Sequence, residues 1–205
     1  MKTLVIADIH GRSIWKQIVD KHFNEVDKII FLGDYFDSRE KFTSKNIVDN
    51  FREIVSFKKE NPSKVELLLG NHDIFQYCFG NYSCSGYDDS TYFMLSQGKE
   101  LEDLIKEGVF KICYQIDNFL FTHAGVTKTV YDNLEHKLEN VADTLNSYLD
   151  HKPSVFKYSM LDYEGFGNHI SQTPIWVRPK ALERDKLEGY IHVVGHTYVD
   201  EIDST

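Results

Sequence analysis

The 205-residue sequence predicts an α/β fold with parallel strands, and three observations carry that reading. Short apolar runs recur along the first third of the chain. Helical periodicity lies between them, and each run ends in a polar or glycine-containing turn. A β-α-β-α-β order of this kind buries parallel strands between helices.

The first run, Leu4-Val5-Ile6-Ala7, reads as a strand that begins at once and is too short for a secretory leader. The second is Lys28-Ile29-Ile30-Phe31-Leu32 and the third Val65-Glu66-Leu67-Leu68-Leu69. Between them Ile47, Val48, Phe51, Ile54 and Val55 mark one helix face, with Thr43 or Ser44 as its cap and Asn61-Pro62 as its end. Residues 74–98 are rich in Gly, Ser, Asp, Tyr and Phe and have no clear period, which predicts an irregular insertion or cap. Long loops of this kind are often functional, although a surface excursion that packs its own aromatics fits the composition equally. The segment leaves the third run directly after Asn71-His72-Asp73 and carries Phe75, Tyr77, Phe79, Tyr82, Tyr87, Tyr92 and Phe93, so it is expected to shape substrate choice. Further on, Asn118-Phe119-Leu120-Phe121-Thr122 and Ile191-His192-Val193-Val194 read as strands. Val130, Leu134, Leu138, Val141, Leu145 and Leu149 recur every three or four residues and predict one long helix. No repeat or linker interrupts the chain, so residues 1–205 are expected to form a single domain with an insertion or cap at about 74–98.

Composition narrows the function. Hydrophobic residues make up 41% and charged residues 27%, ordinary for a globular protein, and no apolar run approaches the roughly 20 residues of a membrane helix. With 23 Lys and Arg against 32 Asp and Glu the formal charge is −9, which argues against broad binding to nucleic acid. A small anionic substrate stays open, because divalent metals reverse the field inside an acidic pocket. Cys78, Cys84 and Cys113 are three in number and lack a framework spacing, which points to a reducing cytoplasm; Cys78 and Cys84 could bridge or bind metal, but two small, partly buried thiols are the favoured reading.

Five short motifs follow the predicted strands: Asp8-Ile9-His10, Gly33-Asp34-Tyr35-Phe36-Asp37, Gly70-Asn71-His72-Asp73, Thr122-His123-Ala124-Gly125 and Gly195-His196-Thr197. The carboxyl ends of strands are where open α/β sheets bind ligands. Carboxylate, amide and imidazole donors together suit manganese, iron, cobalt, nickel or zinc, and the absence of cysteine from the motifs argues against a structural thiolate zinc site. Asp8 and His10, two apart on an extended segment, are expected to point to one side and grip one ion. Asp34, with two oxygens beside a glycine turn, is suited to bridge two. His22, His136, His151 and His169 match no motif and read as surface or ordinary packed residues, and His192 reads as structural.

In this order the motifs resemble the calcineurin-like metallophosphoesterase superfamily, and most closely its phosphoprotein phosphatase branch with bacterial and phage relatives. The resemblance spans residues 8–197. It implies a β-sandwich of two mixed sheets flanked by helices. It also implies two divalent ions, manganese foremost, one held by Asp8, His10 and Asp34 and the other by Asp34, Asn71, His123 and His196. His72 matches the family's proton donor and Asp37 the carboxylate that orients it. Trp176-Val177-Arg178 resembles a segment of the bacterial and phage relatives, which makes Arg178 the expected phosphate clamp, with Arg39 second and Asn71 also on the phosphate. Tyr198 stands where many diesterases of the superfamily carry a second His. Ser38 stands where the protein phosphatases carry an Arg, with Arg39 one step later. The family continues beyond its Gly-His-Thr block, whereas this sequence reaches Thr205, so an open sheet edge and self-association are expected. The implied activity is hydrolysis of a phosphomonoester, a phosphoprotein among the possible substrates. A dinucleoside polyphosphate or phosphodiester hydrolase on the same fold is the first alternative, and a non-catalytic binding module the second.

Overall fold

The computed structural model describes residues 1–78 and 84–200, the side chains of residues 75–78 excepted. Expectations that fall on Phe75, Tyr77, Cys78, Phe79 and Tyr82 lie outside what is described. The chain divides into two compact units, Met1–Lys111 and Ile112–Thr205.

The first unit holds four strands: β1 (Thr3–Ile6), β2 (Lys28–Phe31), β3 (Val65–Leu68) and β4 (Phe110–Lys111). They pair side by side in chain order, all parallel. Ile29, Ile30, Phe31, Val65, Leu67 and Leu68 are fully buried, as near-continuous apolar strands in a parallel sheet should be. Helix α1 (Ile14–His22) joins β1 to β2, and α2 (Ser44–Glu60) joins β2 to β3. Thr43 caps α2 by accepting from the Asn46 N–H, and the Asn46 side chain returns the bond in a reciprocal capping box. The helix buries Ile47, Val48, Phe51, Ile54 and Val55, and Phe51 stacks on Phe110 at 5.9 Å. After β3 come α3 (Asn71–Cys78), α4 (Asp89–Met94) and α5 (Lys99–Lys106). The stretch 74–98, expected to be irregular, thus contains the end of α3 and the whole of α4. A local cap accounts for α4, since the Asp88 carboxylate accepts from the Ser90 N–H at 2.9 Å.

The second unit holds β5 (Cys113–Ile116), β6 (Phe119–Thr122) and β7 (Ile191–Val193), with β5 and β6 antiparallel and β6 and β7 parallel. Two sheets with flanking helices are therefore present. The second is mixed as expected, whereas among the described residues the first is parallel. The single long helix expected over 130–149 is instead two, α6 (Lys128–Asp132) and α7 (Val141–His151). Side chains stabilise the break between them. Asn140 caps α7 by accepting from the Asp143 N–H at 2.8 Å, Thr144 accepts from the Leu138 N–H at 2.9 Å, and the Tyr148 hydroxyl accepts from the His136 N–H at 2.8 Å. Backbone groups with such partners gain nothing by continuing a helix. Helix α8 (Pro179–Asp185) precedes β7 and packs Ala181 and Leu182 against Ala124 and Val177.

Candidate metal centre

In the first unit the loops that leave β1, β2 and β3 meet, and each delivers residues of one motif. Asp8 (φ 52°), His10 (φ 45°), Asp34 (φ 58°) and Asp37 (φ 59°) all have left-handed backbones. This corrects the geometry expected for Asp8 and His10, which lie beyond the extended strand on a left-handed turn. Asp and His enter that region more readily than bulky residues, and clusters of such conformations mark functional sites. The His10 N–H donates to the Asp34 carbonyl at 2.7 Å, which locks the two loops together. The His10 ring places Nδ1 2.8 Å from the Phe36 carbonyl and Nε2 3.6 Å from Asp34 Oδ2. Asp8, His10 and Asp34 offer ligand atoms that all lie within 4.8 Å of one another.

Two glycines make this approach possible. A Cβ on Gly33 (φ 100°) would lie 2.3 Å from the Gly70 nitrogen, and a Cβ on Gly70 would lie 2.1 Å from Asp34 Oδ1. Gly33 meets both a dihedral and a spatial demand, while Gly70 is required by space.

Asp73, to which the motif reading gave no role, braces the cluster. Its carboxylate is fully buried and accepts from the Asp34 N–H (2.7 Å), the Tyr35 N–H (2.7 Å) and the Gly70 N–H (2.8 Å). Burial and the nearby charge of Asp34 push its pKa up to about 7, against the pull of those three donors. Its position in the first turn of α3 was the available sequence signal, since acidic residues favour helix N-termini.

His72, also at the start of α3, places Nδ1 3.0 Å from Asp37 Oδ2, and its N–H donates to Asp34 Oδ1 at 3.0 Å. Burial draws the His72 pKa down. The Asp37 hydrogen bond and the charges of Asp34 and Asp37 more than offset it, and the net shift is upward. Asn71 is buried, with Nδ2 3.9 Å from Cys84 Sγ. Cys84 joins Asp37 and His72 in a second group of closely spaced donors, and burial followed by the charge of Asp37 pushes its thiol up to about 12. Cys84 is partly buried, in keeping with the sequence reading of a small, partly buried thiol, whereas Arg12 was not singled out from sequence. Arg12 Nη1 donates to the Asp8 carbonyl at 3.1 Å and Nε to Glu40. Arg39 donates to the Ser85 hydroxyl at 2.9 Å on an exposed surface.

The second unit carries His123, His196 and Arg178. His123 follows β6 and is fully buried, and His196 (φ 64°) follows β7. The Gly195 N–H donates to the His123 carbonyl at 2.9 Å, and His123 Nε2 lies 3.1 Å from His196 Nδ1. Two imidazole nitrogens at that separation need a proton or a cation between their lone pairs. With metal–nitrogen bonds of about 2.0–2.1 Å, neighbouring ligands on one ion sit roughly 3 Å apart, so this pair fits a divalent cation. Arg178 Nη1 donates to the His196 carbonyl at 2.8 Å and to the Thr197 hydroxyl at 3.1 Å.

The unmotivated histidines behave as expected. His22 pairs with Glu25 at 3.0 Å, His151 Nδ1 meets the Ser147 carbonyl at 3.0 Å, and His169 meets the Ser171 hydroxyl at 2.7 Å. His192 is partly buried between the Val126 N–H and the Leu187 carbonyl, and burial lowers its pKa.

The family described as calcineurin-like phosphoesterase matches residues 1–200. No curated protein matches the chain. Among solved structures, a cold-active protein tyrosine phosphatase superposes with a TM-score of 0.60 at 19% identity over 97% of this chain, and a point mutant of a cold-active protein tyrosine phosphatase with 0.59 at 21% over 96%. The chain spans 65% of the length of each, and at these identities the likeness is one of fold.

Proposed function

The chain belongs to the calcineurin-like phosphoesterase family, and from that membership we propose that it hydrolyses a phosphomonoester, a phosphoprotein among the candidate substrates, with the help of two divalent metal ions. The observation that carries the reading is the His72–Asp37 pair, 3.0 Å apart in the same unit as the Asp8, His10 and Asp34 donors. Asp8, His10 and Asp34 would hold one ion and His123 and His196 the other, with Asn71 the further ligand that the family resemblance implies. Their oxygen and nitrogen donors suit manganese. Bound divalent metal supplies an acidified water and neutralises charge on the phosphate oxygens.

The protein's own groups do the rest. Asp37 holds Nδ1 of His72, which fixes the tautomer and turns Nε2 toward its task of protonating the departing alkoxide. The Asp37 hydrogen bond and the charges of Asp34 and Asp37 favour the protonated ring over the neutral one. Arg178, whose Nη1 is held by the His196 carbonyl and the Thr197 hydroxyl, is the phosphate contact in this reading. The unbridged thiols Cys84 and Cys113 support a cytoplasmic setting. No helix among the described residues is long and apolar enough to cross a membrane. The proposal includes self-association along β7, an edge strand among the described residues with Ile191 exposed. Sedimentation over a range of concentrations checks that part.

The main test loads chelated protein with manganese and compares a monoester with a diester of one phenol. Faster turnover of the monoester is expected, with no activity in exhaustively demetallated protein. Preference for the diester would establish the phosphodiester or dinucleoside polyphosphate alternative. Two bound metals with no turnover of any ester would establish a binding module.

A further inference from the structure

In the second unit, residues 158–171 form a loop tied down along its length. The Tyr158 hydroxyl donates to Asp162 Oδ2, and the Gly167 N–H donates to the same oxygen at 2.7 Å. The Ser159 N–H donates to Gln172 Oε1 at 3.0 Å, and the Ser159 and Ser171 hydroxyls meet at 2.8 Å. A loop braced in this way has a defined shape, and while Ile170 packs inward, several of its large apolar side chains face outward: Met160 is 88% exposed, Tyr163 83% and Phe166 90%. A braced loop that carries several exposed large apolar side chains offers a candidate binding surface.

Phe166 is the informative member. Its φ is 57°, between Gly165 (φ 76°) and Gly167 (φ 84°). A bulky side chain enters that region only at a cost, and here burial of the ring gives nothing in return. The turn is fixed from behind, since a Cβ on Gly167 would lie 2.6 Å from the Trp176 carbonyl oxygen. Its backbone grips Arg178 at two points. The Arg178 N–H donates to the Gly167 carbonyl at 2.9 Å, and Arg178 Nε donates to the Phe166 carbonyl at 3.3 Å. Arg178 Nη1 in turn holds the His196 carbonyl and the Thr197 hydroxyl. The strained turn, the guanidinium and the Gly-His-Thr block are therefore one hydrogen-bonded assembly, and Phe166 is the exposed side chain on the turn whose carbonyl holds the arginine.

We propose that Phe166 is an apolar platform for the aryl portion of a phosphate ester whose phosphate Arg178 clamps, so that aryl phosphates are preferred over small alkyl phosphates. The inference rests on the phosphoesterase reading given above and deepens it to a substrate class. A ring that stacks on the platform gains from offset or edge contact, whereas a glycerol or methyl group has no face to offer.

The test measures kcat/KM for 2-naphthyl phosphate and glycerol 2-phosphate with the full, manganese-loaded chain and two variants. Phe166→Asn removes the ring and puts a residue that tolerates positive φ in its place, and Phe166→Tyr keeps the ring. The aryl-to-alkyl ratio should fall roughly 2- to 12-fold in Phe166→Asn, the range that aromatic contacts contribute, and should be retained in Phe166→Tyr. The change should lie in KM. An unchanged ratio in Phe166→Asn overturns the platform. Calorimetric titration with phenylphosphonate and methylphosphonate reads the same preference without turnover. If the wild type hydrolyses neither ester, the phosphoesterase reading fails. The platform then stands only if phenylphosphonate binds more tightly and loses that margin in Phe166→Asn. Equal affinities, or no binding of either, overturn it.

Discussion

Replacing Asp73 by Asn should loosen the metal centre more than the fold. The carboxylate accepts three backbone N–H groups, from Asp34 and Gly70 on Oδ2 and from Tyr35 on Oδ1. An Asn keeps one oxygen. If that oxygen stays with Asp34 and Gly70, the new amide confronts the Tyr35 N–H, donor against donor. One hydrogen bond to a charged acceptor is lost, typically about 1.5–3 kcal/mol. At about 1.4 kcal/mol per factor of ten, a loss that falls on the placement of Asp34 weakens metal binding roughly 10- to 100-fold. The removed negative charge acts in the same direction. Stability without metal should change less, for a separate reason. Burial and Asp34 already push Asp73 up to about 7, so the ionised carboxylate is itself destabilising near neutral pH, and Asn removes that repulsion. Calorimetric titration of manganese into chelated protein, together with thermal melts of the metal-free chain, separates the two effects. Wild-type affinity in Asp73→Asn would refute the idea that this carboxylate positions Asp34.

His72→Asn should lower kcat roughly 10²- to 10⁴-fold for an alkyl phosphate while metal content holds, and much less for a nitrophenyl ester, which steady-state kinetics would show. Because the Asp37 hydrogen bond and neighbouring carboxylates outweigh burial and hold the His72 pKa above 6.5, activity should be lost as pH rises through that elevated value, and Asp37→Asn should move the limb to lower pH. Glu66, 8% exposed, meets Lys28, Lys58 and Lys111 at 3.5, 3.2 and 3.0 Å. Glu66→Gln leaves three partly shielded cations and should cost about 2–4 kcal/mol, below the full figure for a buried pair because the lysines retain some solvent. Burial raises the Glu66 pKa but the lysines lower it further, so its contribution is present above the ordinary carboxylate range and fades as pH falls through the lowered value. Wild-type and Glu66→Gln melts should therefore converge in acid, and a gap that widens would contradict this. Gly70→Ala places a methyl where Asp34 Oδ1 now lies, 2.1 Å from the ideal Cβ, and should reduce bound metal measured by elemental analysis.

The fold was legible where burial on both faces of a strand leaves a continuous apolar run. Lys28–Phe31 and Val65–Leu68 announce themselves, and the face of Ser44–Glu60 repeats at helical spacing. β4 and β5 were not legible. Phe110–Lys111 is two residues long, and Cys113–Ile116 buries only Cys113, so neither offers a run or a clean alternation. The predicted helix over 130–149 failed for another reason. Leu134 and Leu138 keep the helical period by coincidence, but Leu138 is 54% exposed and Asn140 starts a new helix. Periodicity reports which residues repeat, and a capping side chain within the repeat overrides it.

The site was legible as a set of residues and much less as a geometry. Asp8 and His10 were chosen on the argument that residues two apart in an extended chain face the same way, yet both are left-handed and neither is extended. Their ligand atoms still converge with those of Asp34, because the His10 N–H anchors to the Asp34 carbonyl and the loop turns around that bond. Sequence motifs therefore recorded an outcome whose cause lies in backbone dihedrals, and no residue-type pattern displays those in advance. Asp73 shows the converse. It stood in plain view beside His72, but its role depends on three N–H groups, two of them more than 35 positions away along the chain, and only the folded backbone reveals them. Phe166 had no motif at all. A phenylalanine between two glycines reads as a turn, and what separates it from any other turn is the combination of a left-handed dihedral uncommon for a bulky residue, an exposed ring and an arginine bound to its own carbonyl. Residues that hold ions were found because their chemistry is rare among side chains. Residues that position them, or that choose the substrate, act through shape and emerge only once the chain has folded.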